Sequence, residues 1–237
     1  MLTSNELKGR AHMRRLRITE QVWKDYIQDV ALHLLYRKYP NLVFRGGTCI
    51  WKVMNGDRFS EDLDFCHHDK IIKLDEYLIQ EFKHLGFTAV VGKKKQTDNL
   101  LYLKMHISAP THSQPIPLLV EVLVKDDCTG KRERAVMYSP YPDIPPVSLI
   151  VPSLDDIATD KVQAILGRNK PRDIHDLYIL LRQGARIDLK NVPGFNSKTF
   201  REKLLEKEKY WKGLEPLLVT ALPPFRTEFQ YITSIVG

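Results

Sequence analysis

The sequence predicts an α/β (α+β) fold: a mixed β-sheet flanked by helices, followed by a C-terminal helical domain. Up to Val124, strand-length runs rich in Val, Leu, Ile and Phe alternate with helix-length amphipathic segments. The run Ile116–Val124 is apolar on both faces apart from Glu121, as in a central strand covered on two sides. Beyond residue 150 the patterning is helical. At 237 residues, with 43% hydrophobic and 27% charged residues, the chain can bury a sizeable core, which excludes disordered, collagen-like and disulfide-dense classes.

A basic N-terminal stretch (Lys8, Arg10, Arg14, Arg15, Arg17) leads to Thr19, placed to cap a helix with the apolar stripe Trp23, Tyr26, Ile27, Val30 and Leu34, closed off by Pro40. Residues 42–45 read as a short strand entering Gly46, Gly47 and Thr48, followed by a helical turn over 49–54 and a turn at Asn55-Gly56. Residues 62–66 form a second strand, 74–85 a helix stopped by Gly86, and 87–91 with 101–107 a hairpin across 93–99. Prolines and charges dominate 126–152, which reads as a linker with limited structure and puts a domain change near residue 150. The expected division is a sheet domain, 1–150, and a helical domain, 151–237, that completes the active-site cleft. Ser153 and Asp156 resemble a capping box for a helix through Leu166, and Pro171 suits the first turn of a second helix to Leu181. Internal repeats and low-complexity tracts are absent from the sequence.

Lys and Arg number 36 against 29 Asp and Glu, a net charge of +7 that favours a polyanionic partner without identifying one. Cys49, Cys66 and Cys128 lie far apart without a CxxC, which fits a reducing compartment better than a disulfide framework or a zinc site. No apolar run approaches the roughly 18 residues that span a bilayer, and the first 17 residues are too polar and Arg-rich for a signal peptide. A cytoplasmic protein without membrane association is expected.

The chemistry concentrates in Phe44-Arg45-Gly46-Gly47-Thr48 and Arg58-Phe59-Ser60-Glu61-Asp62-Leu63-Asp64-Phe65. Two glycines between a strand and a helix let backbone N–H groups approach a triphosphate at a positive helix start, and the Thr48 hydroxyl adds a donor. Alternate strand residues share a face, so Asp62 and Asp64 project together while Leu63 and Phe65 enter the core. That is a paired-carboxylate magnesium site, suited to activating an acceptor hydroxyl and stabilising a leaving pyrophosphate. A lone Asp-x-Asp or Gly-Gly is a weak signal; their order and strand-to-helix context strengthen both. Glu121 interrupts an apolar strand, where an unpaired buried charge costs several kcal/mol. It is either a third ligand or general base, or a solvent-facing residue of an edge strand. Lys161 and Arg168, seven residues apart, share a cationic helix face, and Asp173 and Asp176 project side by side next to the stripe Ile174, Leu177 and Leu181. On a solvated face these are ordinary salt bridges. In a cleft, Lys161 would neutralise triphosphate charge and Asp176 would orient Lys161 or the acceptor. His67 and His68, adjacent on a strand, point apart and read as loop rather than metal ligands. Cys49 and Cys66 read as small buried hydrophobes, and Tyr210 and Trp211 within 207–212 as packing residues without a site role.

These residues resemble the AbiEii-type nucleotidyltransferase toxins, a family that includes the MenT toxins, within the DNA polymerase beta-like superfamily. The first block is similar to the family's Gly-Gly-Ser/Thr and Arg-Phe-Ser-x-Asp-Leu-Asp-Phe. The second, Asp160 to Arg168 with Lys170 to Tyr178, is similar to its Lys-x-x-Ala-x-x-x-Arg and Arg-Asp-x-x-Asp-Leu. The resemblance implies a nucleotidyltransferase-type sheet, magnesium or manganese at Asp62 and Asp64, and catalytic roles for Asp62, Asp64, Lys161, Asp176 and Glu121. It further implies NTP binding by Gly46, Gly47, Thr48, Ser60, Arg168, Arg172 and Asp173. Glu121 and Asp176 compete as the third carboxylate, and the position of Ser60 is one where phosphorylation blocks triphosphate in this family. The implied reaction moves NMP from an NTP to a hydroxyl, on the 3′ end of tRNA, by the toxin of a type IV-like toxin–antitoxin pair with a cognate antitoxin. A nucleotidyltransferase acting on a small molecule or protein, and a catalytically silent RNA-binding module of the same fold, are the alternatives.

Overall fold

The computed structural model describes residues 2–125, 128 and 130–236. Seven strands form one sheet: β1 (Val43–Arg45), β2 (Asp62–His67), β3 (Thr88–Gln96), β4 (Leu100–Ser108), β5 (Ile116–Val124), β6 (Arg132–Met137) and β7 (Val147–Pro152). Their order is β3-β4-β5-β2-β1-β7-β6. β2 runs parallel to β5 and antiparallel to β1, and β1 runs parallel to β7, so the sheet is mixed as expected. The described chain divides into two compact units, Met1–Cys49 with Ser60–Cys128 and Arg132–Val151, and Ile50–Phe59 with Thr129–Lys131 and Pro152–Gly237.

In the first unit, one sheet face carries Phe44, Leu63, Phe65, Leu103, Met105, Val120 and Val122, all buried. Against this side pack α2 (Thr19–Lys38), over β5, and α4 (Leu74–His84), over β3. Helix α2 buries the expected stripe, and Ile18 rather than Thr19 is its N-cap. A shorter α1 (Ser4–Ala11) precedes it behind a Thr3/Glu6 capping box, an element outside the expected ones. The basic N-terminal stretch has a structural purpose at Arg14. Its guanidinium reaches Asp25 at 2.6 Å and Asp29 at 2.8 Å, both buried in α2, while Tyr141 and Ser139 donate to the same two carboxylates. Burial works against the Arg14 charge, but the two aspartates outweigh it and raise its pKa.

Two expectations are overturned here. The linker proposed for 126–152 contains β6 and β7, which add two strands beyond β1; residues 126, 127 and 129 lie outside the described part. Proline density concealed a strand at Val147–Pro152 because its proline comes at the end, where a missing N–H is tolerated. The cysteine reading also changes, because Cys66 and Cys128 form a disulfide with Cα atoms 5.5 Å apart, leaving Cys49 as a buried free thiol. Spacing 62 positions apart hides this pair. Parallel pairing of Cys66 with Leu123 brings the chain just after β5 back beside β2.

In the second unit, Ser153 accepts from the Asp156 N–H to start α5 (Leu154–Gly167), and Pro171 precedes α6 (Arg172–Arg182), both as expected. Beyond them come α7 (Ser197–Leu205), a 3₁₀ segment (Glu208–Leu217) and α8 (Phe225–Val236). Trp211 is buried and donates to the Pro223 carbonyl at 2.7 Å, and the buried Lys207 ammonium donates to the Ile165 and Lys203 carbonyls, so both are packing residues. Residues 50–59 belong to this unit because the Phe59 N–H donates to Leu217 and Arg58 bridges Leu218. Among the described residues, no helix is long and apolar enough to cross a membrane.

Candidate active site

The helix α3 (Gly46–Val53) begins directly after β1, so Gly46, Gly47 and Thr48 form its first turn. Gly46 has φ of +76°, and a Cβ there would fall 2.9 Å from Asp64 Cγ and closer still to Oδ2. Only glycine allows the Asp64 carboxylate to lie against the backbone at the start of the helix. The buried Thr48 hydroxyl donates to the Asp62 carbonyl, tying this turn to the carboxylate strand. Ser60 is buried, and its carbonyl accepts from Gln28 on α2.

Register sets the remainder of this face. Asp64 is level with Arg45 on β1 and with Glu121 on β5, and Asp62 is level with Leu119. Glu121 is also level with Tyr102 on β4. Cross-strand partners share a face, so Arg45, Asp62, Asp64, Glu121 and Tyr102 all project from the side opposite α2 and α4. β5 lies between β4 and β2, which excludes an edge-strand explanation for Glu121. Glu121 is half-buried at the register position next to Asp64.

The second unit gathers the charges of α5 and α6. Asp176 accepts two bonds from Arg58, at 2.9 and 2.8 Å, and lies 2.7 Å from the Lys161 ammonium. Lys161 also reaches Asp173 at 3.2 Å, and Arg168 grips Asp173 through two bonds at 2.8 and 2.7 Å. Asp173, Asp176, Lys161 and Arg58 are all buried, so this is not a solvated charged face. Burial pushes the pKa values of Asp173 and Asp176 up, but Arg168 and Lys161 around the first, and Arg58 and Lys161 around the second, outweigh it and hold both below the usual carboxylate range. Arg172 is half-buried at the start of α6.

One residue earlier on α6, His175 bonds Glu228 on α8 through Nδ1 at 2.6 Å and Asp57 through Nε2 at 2.7 Å. Burial disfavours the imidazolium, but these two carboxylates raise its pKa to about 9. Consecutive residues His175 and Asp176 thus hold consecutive residues Asp57 and Arg58. In the sequence Arg58 stands in the first motif with no evident partner. Its signal was a guanidinium beside a core phenylalanine, a charge that needs a buried carboxylate.

Asp62 and Asp64 fit a divalent cation: two oxygen donors project from one strand face and leave further coordination to phosphate or water. Among the described residues, three ligand-bearing side chains approach within 4.8 Å of one another at His67, His68 and Asp69. The expectation that the two histidines point apart fails because β2 ends at His67, and their rings stack at 4.5 Å.

A mixed sheet with a glycine-started helix packed on an Asp-x-Asp strand is the core of a nucleotidyltransferase. The family model described as "Nucleotidyl transferase AbiEii toxin, Type IV TA system" matches residues 33–229, and the chain belongs to that family. Among solved structures, JHP933 from Helicobacter pylori is similar at 19% identity and a TM-score of 0.57, covering 89% of each chain. MenT4, a nucleotidyltransferase toxin from Mycobacterium tuberculosis H37Rv, is similar at 19% identity and a TM-score of 0.56, covering 97% of this chain and 77% of that one. Among curated proteins, none matches.

Proposed function

We propose that this nucleotidyltransferase moves NMP from an NTP onto the 3′-terminal hydroxyl of tRNA, as the toxin partner of a cognate antitoxin in the cytoplasm, within a type IV system. One observation carries the reading: the Asp64 carboxylate lies on Gly46, in a space that a Cβ would fill, with Asp62 and Glu121 on the same sheet face. This couples a phosphate-binding helix start to the carboxylates that would hold magnesium or manganese. Bound there, the cation would neutralise phosphate charge and make the acceptor hydroxyl more acidic. Asp62 and Asp64 would be its ligands. Glu121 is favoured over Asp176 as third carboxylate, since Asp176 is already committed to Arg58 and Lys161.

In the wider reading Gly46, Gly47 and Thr48 present backbone N–H groups to phosphate. Lys161 supplies a cation held in place by Asp173 and Asp176. Arg58 and Arg168 bind the same two aspartates and fix them around Lys161.

The test is incubation with labelled NTPs, a divalent cation, and purified tRNA, total RNA or protein in parallel. Label should enter tRNA, and the Asp62→Asn/Asp64→Asn double variant should lower incorporation by roughly a thousandfold with the fold retained. Label on protein alone would overturn the tRNA assignment. Cell growth arrest that persists unchanged in the double variant would instead favour a silent RNA-binding module.

A further inference from the structure

The face that carries Asp62, Asp64 and Glu121 continues outward across β4 to β3, where its chemistry changes sign. In the row of Asp64 and Glu121 the next residues are Tyr102 and then Lys95. In the row of Asp62 and Leu119 they are Lys104 and then Lys93. The alternation is confirmed by contacts on each side. Lys93 Nζ lies 5.9 Å from the Tyr102 ring centroid, whereas Lys94, between Lys93 and Lys95, turns to the helix-covered side and pairs with Asp75 of α4 at 2.8 Å. The strands Thr88–Gln96 and Leu100–Ser108 contain four lysines and no acidic residue. Lys93 and Lys95 are exposed and Lys104 half-buried, and among the described residues none of the three has a carboxylate within 4 Å.

We infer that the β3–β4 extension of the carboxylate face is the binding platform for a single-stranded RNA acceptor, with Lys93, Lys95 and Lys104 taking its phosphates and Tyr102 stacking a base next to Glu121. The inference rests on the transferase reading in one respect, that the acceptor's terminal hydroxyl is directed to Asp62 and Asp64. Three strand spacings of about 4.8 Å separate Asp64 from Lys95, so the run of roughly 14 Å extends beyond a single nucleotide. Ammonium groups offset around an aromatic face match a repeat of phosphate and base, and single strands are bound by this combination. Uncommitted lysines on the open face, against a committed one on the covered face, distinguish a ligand platform from a general solubilising charge.

The experiment compares two charge-matched double variants, Lys93→Gln/Lys95→Gln on the platform and Lys83→Gln/Lys94→Gln on the other side, using a fluorescent twelve-nucleotide RNA. All four side chains are at exposed positions, so both proteins should fold, checked by circular dichroism. The platform variant should raise the RNA Kd about tenfold and reduce the slope of log affinity against log salt by about 1.4, two phosphate contacts at ~0.7 each. The other variant should change neither beyond twofold. Tyr102→Phe should bind as the parent does, and Tyr102→Ala several-fold more weakly. Equal losses in both double variants, no loss in either, or no RNA binding by the parent would overturn the platform. In the transfer assay the platform variant should raise the RNA KM with the NTP KM and kcat unchanged. If the parent transfers nothing while RNA binding still depends on Lys93 and Lys95, the transferase reading falls and the platform stands. If transfer proceeds with an unaltered RNA KM, the platform alone falls.

Discussion

Gly46 shows how much one hydrogen in place of a methyl group decides. Its φ of +76° and the Asp64 carboxylate resting against it both demand the absence of a Cβ. Gly46→Ala therefore forces the backbone into a conformation costing roughly 1–2 kcal/mol and also displaces the carboxylate by about the width of the new methyl group. Nucleotide incorporation should fall by about a hundredfold, with only a modest loss in thermal midpoint, since misplacing a reacting group by about 1 Å is enough for that. A variant of full activity would mean that Asp64 is not held where catalysis needs it. In the sequence, the doubled glycine suggested a phosphate cradle, the role proposed for it above. Its second reason, accommodation of a carboxylate from a strand sixteen or more residues later, was not legible there, because it depends on how β1 and β2 pair. Likewise Glu121 was legible as an anomaly in an apolar strand, but its alternatives separated only once β5 was seen between β4 and β2.

At the level of elements, α6 is a clasp: Asp176 holds Arg58 and His175 holds Asp57, while Glu228 of α8 closes the second arrangement from behind. The pKa of His175 is raised from an ordinary value of 6.5 to about 9, so the folded state prefers the proton. The corresponding stabilisation is complete below pH 6.5 and disappears as pH rises through about 9, a loss of about 3 kcal/mol. Denaturation curves between pH 6 and 9.5 should show that decline in the parent, and His175→Gln should flatten it. A parallel decline in both proteins would place the titration elsewhere. Amphipathic periodicity and capping residues made α2, α5 and α6 readable in the sequence, because those signals are local. β6 and β7 were not readable, since their pairing depends on distant partners and the intervening prolines resemble a linker.

Across the molecule as a whole, charge and cross-linking were the properties least available from composition. The surplus of +7 suggested a polyanion but did not locate it; the strands β3 and β4 hold four of the lysines without a single acid. The disulfide between Cys66 and Cys128 closes a loop with a sequence separation of 62, for which loop-closure entropy gives a stabilisation of about 4 kcal/mol. Reduction should therefore lower the denaturant midpoint of the first unit, and Cys66→Ala/Cys128→Ala should reproduce the lowered value without responding to reductant. Superimposable curves for oxidised and reduced protein would remove the cross-link from the stability of the fold. Because Cys49 is buried, thiol labelling of the folded oxidised chain should be slow.

The sheet's register also amounts to a parity rule. On the open side lie even-numbered residues of β2 and β4 and odd-numbered residues of β5 and of the outer part of β3, with the opposite parity beneath the helices. A single inserted or deleted residue within β5 would exchange the two inventories, turning Glu121 into the hydrocarbon interior and valines out to water. Within β3, β4 and β5, an insertion that keeps both inventories must therefore fall in the turns at 97–99 and 109–115, and the spacing between carboxylates and lysines behaves as one block.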